Sequence, residues 1–319
     1  IFHMDASEQM RKRPMAPLLS SLKELGWEIT CEREDGHFPF ILTAHGFRQD
    51  HISIDIGHSS QFLSALLIAS TLSAEDFTIR LKGTHGMAYI EMTRKMMEQF
   101  GVRVEHPAAD QFRICTGQKY RALDYQIEPD VSAACYFYAM AAVTGGKITV
   151  RNVFESSVQG DMKFLNVLAE MGCEVTETKD GITVSRTGGL KGIDVNMNNF
   201  SDQALTLAAI APFADGDTVI RNVGHIRGQE CDRMAAIINE LTKCGVACHI
   251  SGDDIFISSG AAHGAEIETY DDHRVAMAFT VTGLVTGGMI IDNPMCLNWR
   301  KAVPMIWRWG CVLMASILS

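Results

Sequence analysis

The chain has 319 residues, 47% of them hydrophobic and 21% charged, which excludes a disordered or collagen-like chain and predicts two domains. No apolar stretch reaches the ~20 residues of a membrane helix, and no basic start, apolar core and small-residue cleavage site suggest secretion. Lys plus Arg number 28 against 38 Asp plus Glu, and a net charge of −10 repels nucleic acid and anionic membranes.

In chain order, the sequence repeats itself with a period near seventy residues. One series pairs a capped, largely apolar helix with a β-branched strand. Its helices start at Ser59-Ser60-Gln61, Asp130-Val131-Ser132, Ser201-Asp202 and Asp271-Asp272-His273, and the last three close at Gly145, Gly216 and Gly287, 71 residues apart each time. The strands that follow are Thr78 to Leu81, Lys147 to Val150, Thr218 to Arg221 and Met289 to Asp292. A second, interleaved series consists of amphipathic helices ending at Gly26, Gly101, Gly172 and Gly245, at spacings of 75, 71 and 73. Leu18, Leu19, Leu22 and Leu25, or Met162, Leu165, Leu168 and Met171, define one buried face, and glycine after the last turn is the usual left-handed cap.

The expected fold class is therefore α/β: repeated units of strand–helix–strand–helix–strand–strand, with buried helices and outer sheets. Glu128-Pro129-Asp130 reads as a hinge, dividing an incomplete domain over 1–129 from a second over 130–319. Residues 1–50 hold a second-series helix with no first-series helix before it, so a missing N-terminal portion is expected. The nine cysteines are odd in number and contain no C-x-x-C pair, so they read as thiols in a reducing cytoplasm, with neither zinc nor redox work.

Helix starts are anion sites, because their backbone N–H groups are unsatisfied and the dipole is positive there. Three such starts carry arginine: Arg11-Lys12-Arg13-Pro14, His225 to Arg233, and Tyr270 to Arg274. Guanidinium is the preferred fork for phosphate and carboxylate, and clustered arginines in a negative protein predict a local positive pocket. Asp202 and Glu230 beside them are candidate general acid and base. Plain helix caps and surface ion pairs are the competing readings of these residues.

Arg13-Pro14, Ser59-Ser60-Gln61-Phe62, Ser201-Asp202, the R-x-x-E-x-D-R run from Arg227 to Arg233 and the Y-x-D-H-R run from Tyr270 to Arg274 resemble the 5-enolpyruvylshikimate-3-phosphate synthases, in order and at matching intervals, over about residues 4 to 296. The resemblance implies a two-domain enolpyruvyl transferase fold of six units, working without metal or organic cofactor. The implied reaction moves the enolpyruvyl group of phosphoenolpyruvate onto the 5-hydroxyl of shikimate 3-phosphate and releases phosphate, as part of aromatic amino acid biosynthesis. It implies that Ser59, Ser60, Gln61, Asp202, His225 and Gln229 hold shikimate 3-phosphate. Arg13, Gln61, Arg233, Arg274 and Lys301 would hold phosphoenolpyruvate. Asp202 would take the 5-hydroxyl proton and Glu230 would exchange a proton at the methylene carbon. The two small molecules are the expected partners of a cytoplasmic monomer.

The chain departs from the family pattern at Gln229 (usually Lys), His225 (commonly Asn) and Gly86, where a phosphate-binding Ser is usual. Residues 296–319 hold three of the four Trp and none of the 38 acids, as a translated frameshift would, and Lys301 stands two residues late. Two rival readings are a catalytically dead fragment of this enzyme and a transferase acting on a UDP-amino sugar, which would need a reactive cysteine.

Overall fold

A computed structural model describes residues 1–57, 59–83, 86–293 and 296. The chain divides into two compact units, one of Ile1–Gln126 and one that begins at Ile127. Lys301 and the Trp-rich tail lie outside the described residues.

In the first unit, β1 (Phe2–Met4), α1 (Ala16–Glu24), β2 (Glu28–Cys31) and β3 (Phe40–Thr43) give an antiparallel sheet in the order β1-β3-β2. Then β4 (His51–Asp55), α2 (Gln61–Ala69), β5 (Phe77–Lys82), α3 (Met87–Gln99), β6 (Val104–Ala108) and β7 (Gln111–Ile114) form a four-stranded sheet, ordered β4-β5-β7-β6. β4 and β5 are parallel, joined through α2, and β6 and β7 close the sheet antiparallel. Leu63, Leu66 and Leu67 of α2 pack with Ile52, Ile54, Phe77 and Ile79 in a single core.

The second unit opens with α4 (Val131–Thr144), capped by Asp130, whose carboxylate accepts from the amides of Ser132 and Ala133. β8 (Lys147–Arg151), α5 (Lys163–Glu170), β9 (Glu174–Thr178) and β10 (Gly181–Ser185) give the sheet β8-β10-β9. The next stretch contains β11 (Leu190–Lys191), β12 (Asp194–Asn196), a 3-10 turn at Asn198–Gln203, α6 (Ala204–Ile210), β13 (Ala214–Asp215) and β14 (Thr218–Arg221). After it come α7 (Arg233–Lys243), β15 (Cys248–Ser251), β16 (Asp254–Ile257), β17 (Glu266–Ile267), α8 (His273–Thr286) and β18 (Ile290–Ile291). The order β12-β14-β16-β15 repeats that of β4-β5-β7-β6, with the same parallel first pair.

The repeat thus has a physical basis: in both four-stranded sheets the chain crosses from one parallel strand to the next through an apolar helix and closes with a hairpin. α6 buries all seven of its residues, and α4, α6 and α8 pack on one another inside the second core. A helix apolar on every side needs such surroundings. The amphipathic α1, α3, α5 and α7 end at Gly26, Gly101, Gly172 and Gly245, all at positive φ, where side chains with a Cβ are disfavoured.

Candidate active site

The second unit gathers its charged residues at the starts of α7 and α8. Arg233 is the first residue of α7 and only 1% exposed, so its guanidinium must be paired. Its Nε donates to Asp272 Oδ2 at 2.7 Å and its Nη2 to Asp272 Oδ1 at 3.3 Å. Nη2 also donates to Glu230 Oε2 at 2.6 Å, and Nη1 to Asp202 Oδ1 at 3.3 Å and to the Gln229 side-chain oxygen.

Asp272 has two duties. It is the N-cap of α8, accepting from the Arg274 amide at 2.8 Å, and it is the fully buried partner of Arg233. Burial opposes its charge most strongly, but the Arg233 guanidinium, the Arg274 amide and His273 together outweigh it and hold the carboxyl below its ordinary range. Tyr270 and Asp271, both at positive φ, turn the chain immediately before it. That turn is anchored: the Tyr270 hydroxyl donates to buried Glu240 Oε1 at 2.7 Å, and Asn293 Nδ2 to Asp271 Oδ1 at 2.7 Å.

Asp202 sits in the 3-10 turn before α6, where Phe200 departs from helical backbone. Its Oδ2 accepts from Arg274 Nη2 at 2.8 Å, and its Oδ1 from Gln229 Nε2 at 3.5 Å. His225 Nε2 meets the hydroxyl of neighbouring Ser201 at 2.7 Å. Behind Asp202, buried Gln203 donates to Asp161 Oδ1 at 2.8 Å and accepts from Thr206. Burial pushes the Asp161 carboxyl up.

Asp202, Gln229, Glu230, Arg233 and Arg274 are therefore one connected cluster, and His225 joins its edge. The pocket differs from the positive one expected from sequence. Two guanidiniums are matched by three carboxylates, because a buried cation without a partner costs more than folding supplies. Cys231 donates its thiol to Asp272 Oδ2 at 3.5 Å, and burial first, then the Asp272 charge, push it up to about 12. It stays a thiol at neutral pH, a poor nucleophile.

In the first unit, Ser59, Ser60 and Gln61 open α2, with Ser60 buried and Gln61 exposed; the Ser59 hydroxyl accepts from the Gln61 amide at 3.3 Å. Gly86 is the N-cap of α3 at φ +69°, and a Cβ there would stand 2.8 Å from Ser60 Cβ. Arg13 is half-buried ahead of α1. Sequence reasoning missed Asp272, Asp161, Ser132 and Glu240 as supports of the cluster. Asp272 and Ser132 left a signal only as members of the helix starts Asp271-Asp272-His273 and Asp130-Val131-Ser132, where both read as ordinary caps; Asp161 and Glu240 left none.

The family model for EPSP synthase (3-phosphoshikimate 1-carboxyvinyltransferase) matches residues 1–307. A 3-phosphoshikimate 1-carboxyvinyltransferase of Trichormus variabilis is 43% identical over 92% of this chain and 70% of its own length. The enzyme of that name from Methanoculleus marisnigri is 37% identical over 96% of this chain and 72% of its own length. The chloroplastic one of Solanum lycopersicum is 42% identical over 94% of this chain and 60% of its own length. Among solved structures, an EPSP synthase from Acinetobacter baumannii superposes with a TM-score of 0.73 at 26% identity, covering 92% of this chain and 69% of that one.

Proposed function

The chain belongs to the EPSP synthase family, and on that premise we propose that its second unit binds phosphoenolpyruvate and supplies the acid and base for enolpyruvyl transfer to shikimate 3-phosphate. The observation that carries this reading is the joint hold of Arg233 and Arg274 on the Asp202 carboxylate, 3.3 and 2.8 Å away.

Two guanidiniums a few ångströms apart fit the carboxylate and phosphate of one small dianion. When that anion takes N–H groups from Arg274, Asp202 regains lone pairs. It can then accept the 5-hydroxyl proton while the alkoxide oxygen bonds to C2 of phosphoenolpyruvate. Glu230, fixed by Arg233 at 2.6 Å, delivers a proton to the methylene carbon, so charge does not accumulate there. Removal of a proton from the new methyl group by Glu230, with cleavage of the C2–O bond to the phosphate group, restores the double bond and releases phosphate with that oxygen. The fixed guanidiniums stabilise the adduct between these steps.

Gln229 and His225 are assigned to shikimate 3-phosphate together with Asp202. For the first unit, the family pattern assigns Ser59, Ser60 and Gln61 to shikimate 3-phosphate, and Arg13 with Gln61 to phosphoenolpyruvate. Lys301, outside the described residues, is assigned to phosphoenolpyruvate as a stand-in for the family's lysine, which the pattern puts two residues earlier.

The test is phosphate release on mixing the chain with both substrates, alongside calorimetric binding of each. Release that depends on both substrates, lowered about 10²-fold or more in Asp202→Ala, is expected for a positioned base. Binding of both without release would favour the dead-fragment alternative. Failure to bind either would refute the reading.

A further inference from the structure

Tyr270 leads the Y-x-D-H-R run, and no step of the proposed reaction uses it. It is the first central residue of a turn closed by the Asp272 amide, which donates to the Thr269 carbonyl at 2.8 Å. Both central residues, Tyr270 and Asp271, have positive φ, 54° and 55°. That is the pattern of a type I′ turn, where glycine, asparagine and aspartate are at home and a bulky aromatic is strained. Such strain persists only where the surroundings hold it, and it gathers at functional sites.

Here one buried carboxylate does the holding. Glu240 on α7 accepts from the Tyr270 hydroxyl at 2.7 Å through Oε1 and from the Glu268 amide at 3.1 Å through Oε2. A hydrogen bond to a charged acceptor is a strong one. Burial first, then Glu240, push the phenol up to about 12, so it donates throughout the neutral range. Glu240 stands two turns after Arg233 on the same helix. α7 is therefore joined to the start of α8 at two points, Arg233 to Asp272 and Glu240 to Tyr270. One joint would let that start pivot about Asp272, and the second fixes its direction. Arg274, in the first turn of α8, takes its direction from it.

We infer that Tyr270 is a positioning residue for Arg274: its hydroxyl, clamped on Glu240, holds the left-handed turn before α8 and so keeps the Arg274 guanidinium aimed at the anion site. The inference rests on the proposed function, since it takes phosphoenolpyruvate as the anion that Arg274 serves.

Tyr270→Phe keeps the ring packed on the second core and removes only the hydroxyl. The variant and wild type are compared in hydrogen exchange of the Asp272 amide, in urea unfolding, and in calorimetric titration with phosphoenolpyruvate and, separately, shikimate 3-phosphate. The expected result is about 10-fold faster exchange at Asp272 and phosphoenolpyruvate bound about 10-fold more weakly, with shikimate 3-phosphate affinity within about threefold of wild type. Unchanged exchange at Asp272 would overturn the inference, because the turn would not depend on the hydroxyl. A lowered urea midpoint with unchanged phosphoenolpyruvate affinity would mark a merely structural hydroxyl, and equal losses for both ligands a general distortion; either would overturn it while the proposed function stands. A wild-type chain that takes up no phosphoenolpyruvate would remove the proposed function, and the inference with it.

Discussion

Replacing Asp272 by alanine should be the most damaging single change to the second unit. Arg233, 1% exposed, would lose its one fully buried partner, which it holds at two points, 2.7 Å from Nε and 3.3 Å from Nη2. Breaking a buried ion pair from one side costs about 3–5 kcal/mol, and the low end applies because Glu230 and Asp202 still contact the guanidinium. Loss of the α8 cap adds about 1 kcal/mol, for a total near 4 kcal/mol. Asp272→Asn keeps the cap, since asparagine is as good there, and loses only the charge, about 2 kcal/mol. Urea unfolding with hydrogen exchange of the α8 amides as the probe reports on this unit directly. With a slope of about 2 kcal/mol/M, the alanine variant should fall by about 2 M and the asparagine variant by about 1 M. The pH dependence follows from the depressed carboxyl. Its contribution is present above the unfolded value of about 3.9 and is lost as pH falls through the lower folded value. The gap between wild type and Asp272→Asn should hold from pH 7 to about 5 and close in stronger acid. Equal losses in the two variants, or a cost below about 1 kcal/mol for alanine, would refute the double role of this carboxylate.

Asp161→Asn should raise the urea midpoint at pH 7 and not at pH 3. Its folded value is raised, so its stabilising contribution exists below the unfolded value and is lost as pH rises through the folded one, and asparagine still accepts from Gln203. Gly86→Ser should destabilise the first unit by about 1–2 kcal/mol and should not tighten shikimate 3-phosphate, because position 86 is left-handed and a Cβ presses on Ser60; thermal melting and calorimetry check both halves. Phosphoenolpyruvate affinity should fall as salt rises from 0.02 to 0.2 M, by less than a solvent-exposed pair would show, since Arg233 is buried; flat titrations over that range would contradict an arginine-held anion.

Much of the fold was legible because it rests on periodicity. Apolar spacing ending in Gly26, Gly101, Gly172 and Gly245 marks amphipathic helices, and each of these glycines takes the positive φ that such an ending requires. Ser201-Asp202 was read as a helix start, but the chain instead makes a 3-10 turn with a kink at Phe200, which aims Asp202 at the two arginines. Residue spacing carries no information about that kink. The motif arginines were visible, yet their neutralisation was not, because ion-pair partners such as Arg233 and Asp272 are 39 residues apart.

The central claim is that Asp202 and Glu230 carry out an addition and an elimination at phosphoenolpyruvate held by Arg233 and Arg274. Turnover of shikimate 3-phosphate and phosphoenolpyruvate in D2O, followed by proton and phosphorus NMR, tests it most directly. The account predicts phosphate release together with deuterium in the product methylene, both slowed about 10²-fold in Glu230→Gln. Phosphate release with the methylene protons fully retained would contradict it, because no proton would then have been added and removed at that carbon.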